Sequence, residues 1–217
     1  MIKRIVGFYY SPAGGARLLT ETLARDLAAI LDDCIPEEVL FESHDLASKH
    51  GKDIALNEEN IAIVGVPAYI GKIPLPAAEA ISRIKGKDIL TITAVSYGGR
   101  SCGNALYELQ RCAEEAGLKV IGAGSFVVGR GVLKGRAKTG ITIDVATLDE
   151  FETAVSSKIK RLAGCEVEGL KIKPAPVETP GRMPVHFISR FSPKAAATAQ
   201  AFMERICIMR RRSEWYL

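Results

Sequence analysis

No two of the five cysteines in this chain stand close enough to form a C-x-x-C unit. Cys34, Cys102, Cys112, Cys165 and Cys207 are an odd, scattered set. That argues against a disulfide framework and a sequence-evident metal site, and it suits reduced thiols in a cytoplasm. Long apolar runs are also missing: none reaches the ~20 residues that a bilayer-spanning helix requires. An export signal is not expected, because the apolar run after Lys3-Arg4 stops at Tyr10, ahead of Ser-Pro and two glycines. His44, His50 and His186 are isolated, with no carboxylate or cysteine spacing that suggests a metal or a catalytic triad. A formal net charge of +4 is too small to argue for nucleic acid. No internal repeat is present.

What the chain does have is core-forming material in a regular order. Of its 217 residues 47% are apolar and 25% charged, which fits one globular domain plus an appendage, or two small domains. Lys3–Tyr10 reads as a buried strand. Arg17–Leu31 places Leu18, Leu19, Leu23, Leu27, Ile30 and Leu31 at helical spacing. Val39–Phe41 is a short strand, and Ile61–Val66 is a β-branched run without alternation, as a central strand covered on both faces should be. Pro76–Ile84 is a helix, Ile89–Val95 a strand, Cys102–Ala116 a helix ended by Gly117, Val120–Val128 a fifth strand and Leu148–Leu162 a last helix. Parallel strands need crossover connections of one hand. The pattern therefore predicts an α/β fold: a doubly wound five-stranded parallel sheet in the order 2-1-3-4-5. Such sheets bind ligands beyond the carboxyl ends of their strands, where the order reverses. That rule nominates the loops after the first, third and fourth strands.

All three loops are built for close approach. The first, Ser11-Pro12-Ala13-Gly14-Gly15-Ala16, joins a strand to the helix that begins at Arg17, so its backbone N–H groups stand at a positive helix terminus that suits phosphate. It lacks the Lys-Ser/Thr pair of a nucleoside-triphosphate loop, and its glycines are out of G-x-G-x-x-G register. The second is Pro67-Ala68-Tyr69-Ile70-Gly71-Lys72, continuing to Ile73-Pro74; the third is Ser96-Tyr97-Gly98-Gly99-Arg100, continuing to Asn104. Glycine allows backbone to approach a flat ligand edge. Tyr69 and Tyr97 either cover a ring face or serve as half-buried packing. Cys102 is a packing residue by default, with a redox thiol as the alternative.

These loops resemble those of flavodoxin-like proteins. The match is nearest to the bacterial two-part family in which a flavodoxin-like domain precedes a bacterial-type ferredoxin domain. Phe8-Tyr9-Tyr10-Ser11, Val66–Pro74, Tyr97-Gly98-Gly99-Arg100, Asn104–Leu109 and Gly122–Val127 carry the resemblance, over roughly residues 1–163. It implies non-covalent FMN, with phosphate in the first loop and the isoalloxazine between the second and third. The function it implies is electron transfer or FMN-dependent reduction in the cytoplasm, with a redox protein or a nicotinamide donor as partner and no catalytic side chain. Two departures are visible. Flavodoxins usually carry hydroxyls where this chain has Ala13 and Ala16; Arg17 either compensates with a guanidinium or faces water. The ferredoxin ligand pattern is also absent, since Cys207 is the only tail cysteine. The expected domains are therefore 1–165, binding FMN, and 166–217, a linker with Pro174, Pro176, Pro180 and Pro184 followed by a tail without cluster ligands. A cofactor-free interaction or regulatory module is the alternative.

Charge around the expected flavin is one-sided. Segments 11–17, 67–74, 96–104 and 129–136 hold Arg17, Lys72, Arg100, Arg130, Lys134 and Arg136 but no Asp or Glu. These cations either face the flavin, which predicts a site favouring its anionic reduced form, or point into water, where screening removes the effect.

Overall fold

The computed structural model describes residues 2–33, 38–48, 53–98, 101–133 and 136–161. Gly99 and Arg100 of the third loop, and the expected linker and tail at 166–217, lie outside them. The elements run β1 (Arg4–Tyr9), α1 (Gly15–Asp32), β2 (Leu40–Asp45), β3 (Ile54–Ala55), β4 (Asn60–Pro67), α2 (Leu75–Ile81), β5 (Ile84–Lys85), β6 (Ile89–Tyr97), α3 (Ala105–Glu115), β7 (Leu118–Leu133), β8 (Arg136–Ile143) and α4 (Val145–Arg161).

The main sheet has the order β2-β1-β4-β6-β7-β8, and β3 pairs only with β5. All pairings from β2 through β7 are parallel. Without the two short strands this is the expected 2-1-3-4-5 order, the flavodoxin-like α/β fold. The order reverses between β1 and β4.

Alternation along the strands builds two cores. Ile5, Ile61 and Ile63 pack with Leu19, Leu23, Leu27 and Leu31 of α1 and with Leu148, Val155 and Ile159 of α4. Val6, Phe8, Ala62, Val64 and Val66 face the other way, against Ala77 and Ile81 of α2 and Leu109 and Ala113 of α3. A period of two sends successive side chains to opposite faces, so a run that is apolar throughout serves both layers. Each leucine of α1 named here is at most 1% exposed, and burying one contributes about 2 kcal/mol.

Two features go beyond the expected elements. β7 continues past Val128 to Leu133 and turns back into β8, an antiparallel sixth strand with Val128 opposite Ile143. The helix expected at Pro76–Ile84 ends at Ile81, because Ile84 and Lys85 pair with Ile54 and Ala55. Among the described residues, no helix is long and apolar enough to cross a membrane.

Candidate functional site

The first loop is shaped by its own hydrogen bonds. Gly14 sits at φ 86°, a left-handed conformation that favours glycine, and its N–H donates to the Ser11 carbonyl at 3.2 Å. The buried Ser11 hydroxyl accepts the Arg17 backbone N–H at 2.9 Å. Its own proton is left to donate elsewhere. The N–H groups of Ala13, Gly15 and Ala16 have no acceptor among the described residues, the usual state of a helix start awaiting water or an anion. This loop therefore suits a phosphate through backbone donors and one hydroxyl. Ala13 and Ala16 add no side-chain donor.

The Arg17 guanidinium does not point freely at that loop. Its Nε donates to Glu21 Oε1 at 2.9 Å, and its carbon lies 5.7 Å from the Tyr9 ring centre.

The second loop is a tight turn. Tyr69 and Lys72 exchange backbone hydrogen bonds of 2.9 and 3.2 Å around Ile70 (φ 55°) and Gly71 (φ 70°). Two successive left-handed residues make the primed type of turn; for β-branched Ile70 that conformation is strained. Pro67 closes β4, and Ala68 N–H donates to the Ser96 carbonyl at 2.8 Å, extending the β4–β6 ladder. Tyr69 is only 8% exposed, as a packing residue would be, whereas Tyr97 is half-buried and Gly98 is exposed.

The fold draws these loops together. Asn104 N–H, in the third loop, donates to the Gly71 carbonyl at 2.8 Å. A Cβ placed on Gly15 would come within 3.0 Å of Val128 Cγ1 and 4.0 Å of Ser96 Oγ, and one on Gly98 within 3.6 Å of the Val128 carbonyl. Val128 of β7 thus stands between the first and third loops. Sequence reading took it only as the end of a strand.

Glu108 is the other residue that sequence reading missed. From the first turn of α3, its Oε2 accepts Ile73 N–H at 3.1 Å and its Oε1 lies 3.4 Å from Lys72 Nζ. Burial pushes this carboxyl up from its ordinary pKa, while Lys72 and the Ile73 amide pull the other way. The only hint in the sequence was an acid in the first helical turn after the third loop. Glu21 and Glu108 also change the expected electrostatics. The loop segments contain no acid, yet the helices that follow supply carboxylates to Arg17 and Lys72.

A separate groove of about 460 Å³ lies between Tyr10, Leu46–Ser48 and Pro76, Glu79, Ala80 and Arg83 of the α2 region. Arg83 Nη2 donates to the Leu46 carbonyl there at 3.0 Å. The groove contains none of the loop residues nominated above. Among the described residues, no group of three or more His, Cys, Asp or Glu is placed to hold a metal.

No family model matches the chain, and no curated protein matches it. Solved structures do. A flavodoxin from the domain Archaea is 14% identical over 72% of this chain and 99% of its own, with a TM-score of 0.47. Rubredoxin oxygen:oxidoreductase of Desulfovibrio gigas is 18% identical over 73% of this chain and 35% of its own, with a TM-score of 0.45. A Lactobacillus acidophilus flavoprotein in complex with FMN is 14% identical over 58% of this chain and 93% of its own, with a TM-score of 0.41. These likenesses are distant, and the assignment of the flavodoxin-like fold stands on the strand order and register described above.

Proposed function

We propose that this chain binds FMN without a covalent bond and acts as an electron-transfer flavoprotein or FMN-dependent oxidoreductase. The observation that carries this reading is the meeting of the three loops at the point where strand order reverses, with backbone amides of the first left without acceptors among the described residues. Ser11, Gly14, Gly15 and Ala16 would hold the phosphate through amides and the Ser11 hydroxyl, with Pro12 and Ala13 completing the loop. The ring system would lie between the Pro67–Lys72 loop and the Ser96–Arg100 loop, with the half-buried Tyr97 beside it. FMN supplies the capacity to take up and release electrons, while the protein supplies placement and electrostatic tuning. Arg17 contributes at longer range, since Glu21 already holds its guanidinium.

The resemblance to the flavodoxin-plus-ferredoxin family extends the proposal. Residues 166–217 would be a linker and tail without an iron–sulfur cluster, and the electron partner a redox protein or a nicotinamide donor. The cytoplasm is the expected compartment. A second reading, a cofactor-free interaction module, is favoured by Ala13 and Ala16, which remove two side-chain donors usual in flavodoxins. Each charge-assisted bond of that kind contributes about 1.5–3 kcal/mol. A visible spectrum of purified protein, followed by flavin titration of the apo-protein, separates the two. Flavin absorbance and saturable FMN binding support the first reading; failure of FMN to bind at micromolar concentration leaves the second.

A further inference from the structure

We infer that Glu108 is a positioning residue, a tether that holds the second loop in its strained turn and offsets the charge of Lys72 beside the ligand. The part that concerns charge rests on the FMN reading; the tether does not.

The Tyr69–Lys72 turn has Ile70 and Gly71 both left-handed, and its cross-turn bonds run between Tyr69 and Lys72. A β-branched residue relaxes from that conformation unless its surroundings hold it. Bonds from outside the turn do so. Asn104 N–H grips the Gly71 carbonyl at 2.8 Å, and Glu108 Oε2 takes the Ile73 N–H at 3.1 Å. Both anchors come from the start of α3, a helix whose Leu109 and Ala113 are fully buried in the core. The loop is therefore anchored to a buried helix as well as by its own backbone bonds.

The same carboxylate faces Lys72 with its other oxygen, at 3.4 Å. One group thus fixes where the loop stands and whether its lysine presents an uncompensated charge. Glutamine at 108 would keep an oxygen for the Ile73 amide and remove the charge. Alanine would remove both. Lys72→Met would remove the cation and leave the tether.

Hydrogen exchange of the apo-protein tests the tether without any flavin. The Ile73 amide should exchange more than tenfold faster in Glu108→Ala, and within threefold of wild type in Glu108→Gln. Unchanged Ile73 protection in Glu108→Ala, with the α3 amides still protected, overturns the inference whatever the protein binds. A loss of protection throughout α3 in that variant passes the decision to Glu108→Gln. Near-wild-type protection of Ile73 there supports the tether, and loss confined to the loop overturns it. The charge role is read on FMN-loaded protein by anaerobic potentiometry. Glu108→Gln should raise the flavin midpoint, Lys72→Met should lower it, and the double variant should return towards wild type. Unchanged midpoints in both single variants would reject the charge role. Failure of wild type to take up FMN would reject the proposed function and the charge role while leaving the exchange result standing.

Discussion

Thr20 of α1 lies directly against Gly65 of β4: a Cβ on Gly65 would run into Thr20 Oγ1 and would stand 3.2 Å from Thr20 Cβ. The hydroxyl is held in place by its own bond, donated to the Ala16 carbonyl at 2.8 Å. This close approach seats the first turn of α1, and with it the phosphate loop, on the switch point of the sheet.

Gly65→Ala should therefore destabilise the fold by about 1–3 kcal/mol, the usual cost of overpacking a tight core. Combining it with Thr20→Ala should recover part of that loss, because the second change removes the atom in the way. Urea unfolding of the two single variants and the double variant measures the coupling. Strict additivity would mean that the two residues do not meet.

Gly14→Val should abolish FMN binding. The native φ of 86° is unfavourable for a β-branched residue, so the turn that presents the Gly15 and Ala16 amides cannot form unchanged. Fluorescence quenching of FMN by the apo-protein reads the effect, and unchanged affinity would remove the phosphate from this loop.

Stability should fall as pH rises from about 4.5 to 7, because of Glu152. This α4 residue is only 7% exposed, and its Oε1 has no hydrogen-bond partner among the described residues. Burial first, then Asp26 of α1 and neighbouring Asp149, push its carboxyl up to about 7. The folded state thus holds a proton that the unfolded chain releases near pH 4.5. The contribution is complete below that pH and is lost as pH passes through 7. Glu152→Gln should gain about 1–2 kcal/mol over wild type at pH 8 and almost nothing at pH 4. Equal differences at both pH values, by urea melts, would exclude this origin.

Purified protein should carry no iron or acid-labile sulfide. The whole chain offers Cys207 as the only cysteine beyond Cys165, and one thiolate cannot hold a four-iron cluster. Stoichiometric iron by elemental analysis would contradict the proposed tail.

Layer order and loop positions were legible in the chain before any coordinates. β-branched runs alternating with leucine-spaced helices leave parallel pairing and right-handed crossovers as the economical arrangement, and that arrangement determines where a ligand site can lie. Helix ends were legible to within a turn, as Gly15–Asp32 against the expected Arg17–Leu31 shows. Strand β8 was not, and no element is assigned between Val128 and Leu148 in the sequence reading: the glycines and scattered cations there hide a pairing that only the partner strand defines. Nor could the chain reveal which carboxylates meet which cations. Arg17 and Glu21 share a helix, but Lys72 and Glu108 lie on separate elements and meet at 3.4 Å only because α3 packs beside the β4 loop. Local periodicity determines elements and their order, since each arises from neighbours along the chain. Charge compensation at the site arises from neighbours in space, and only the packed structure decides those.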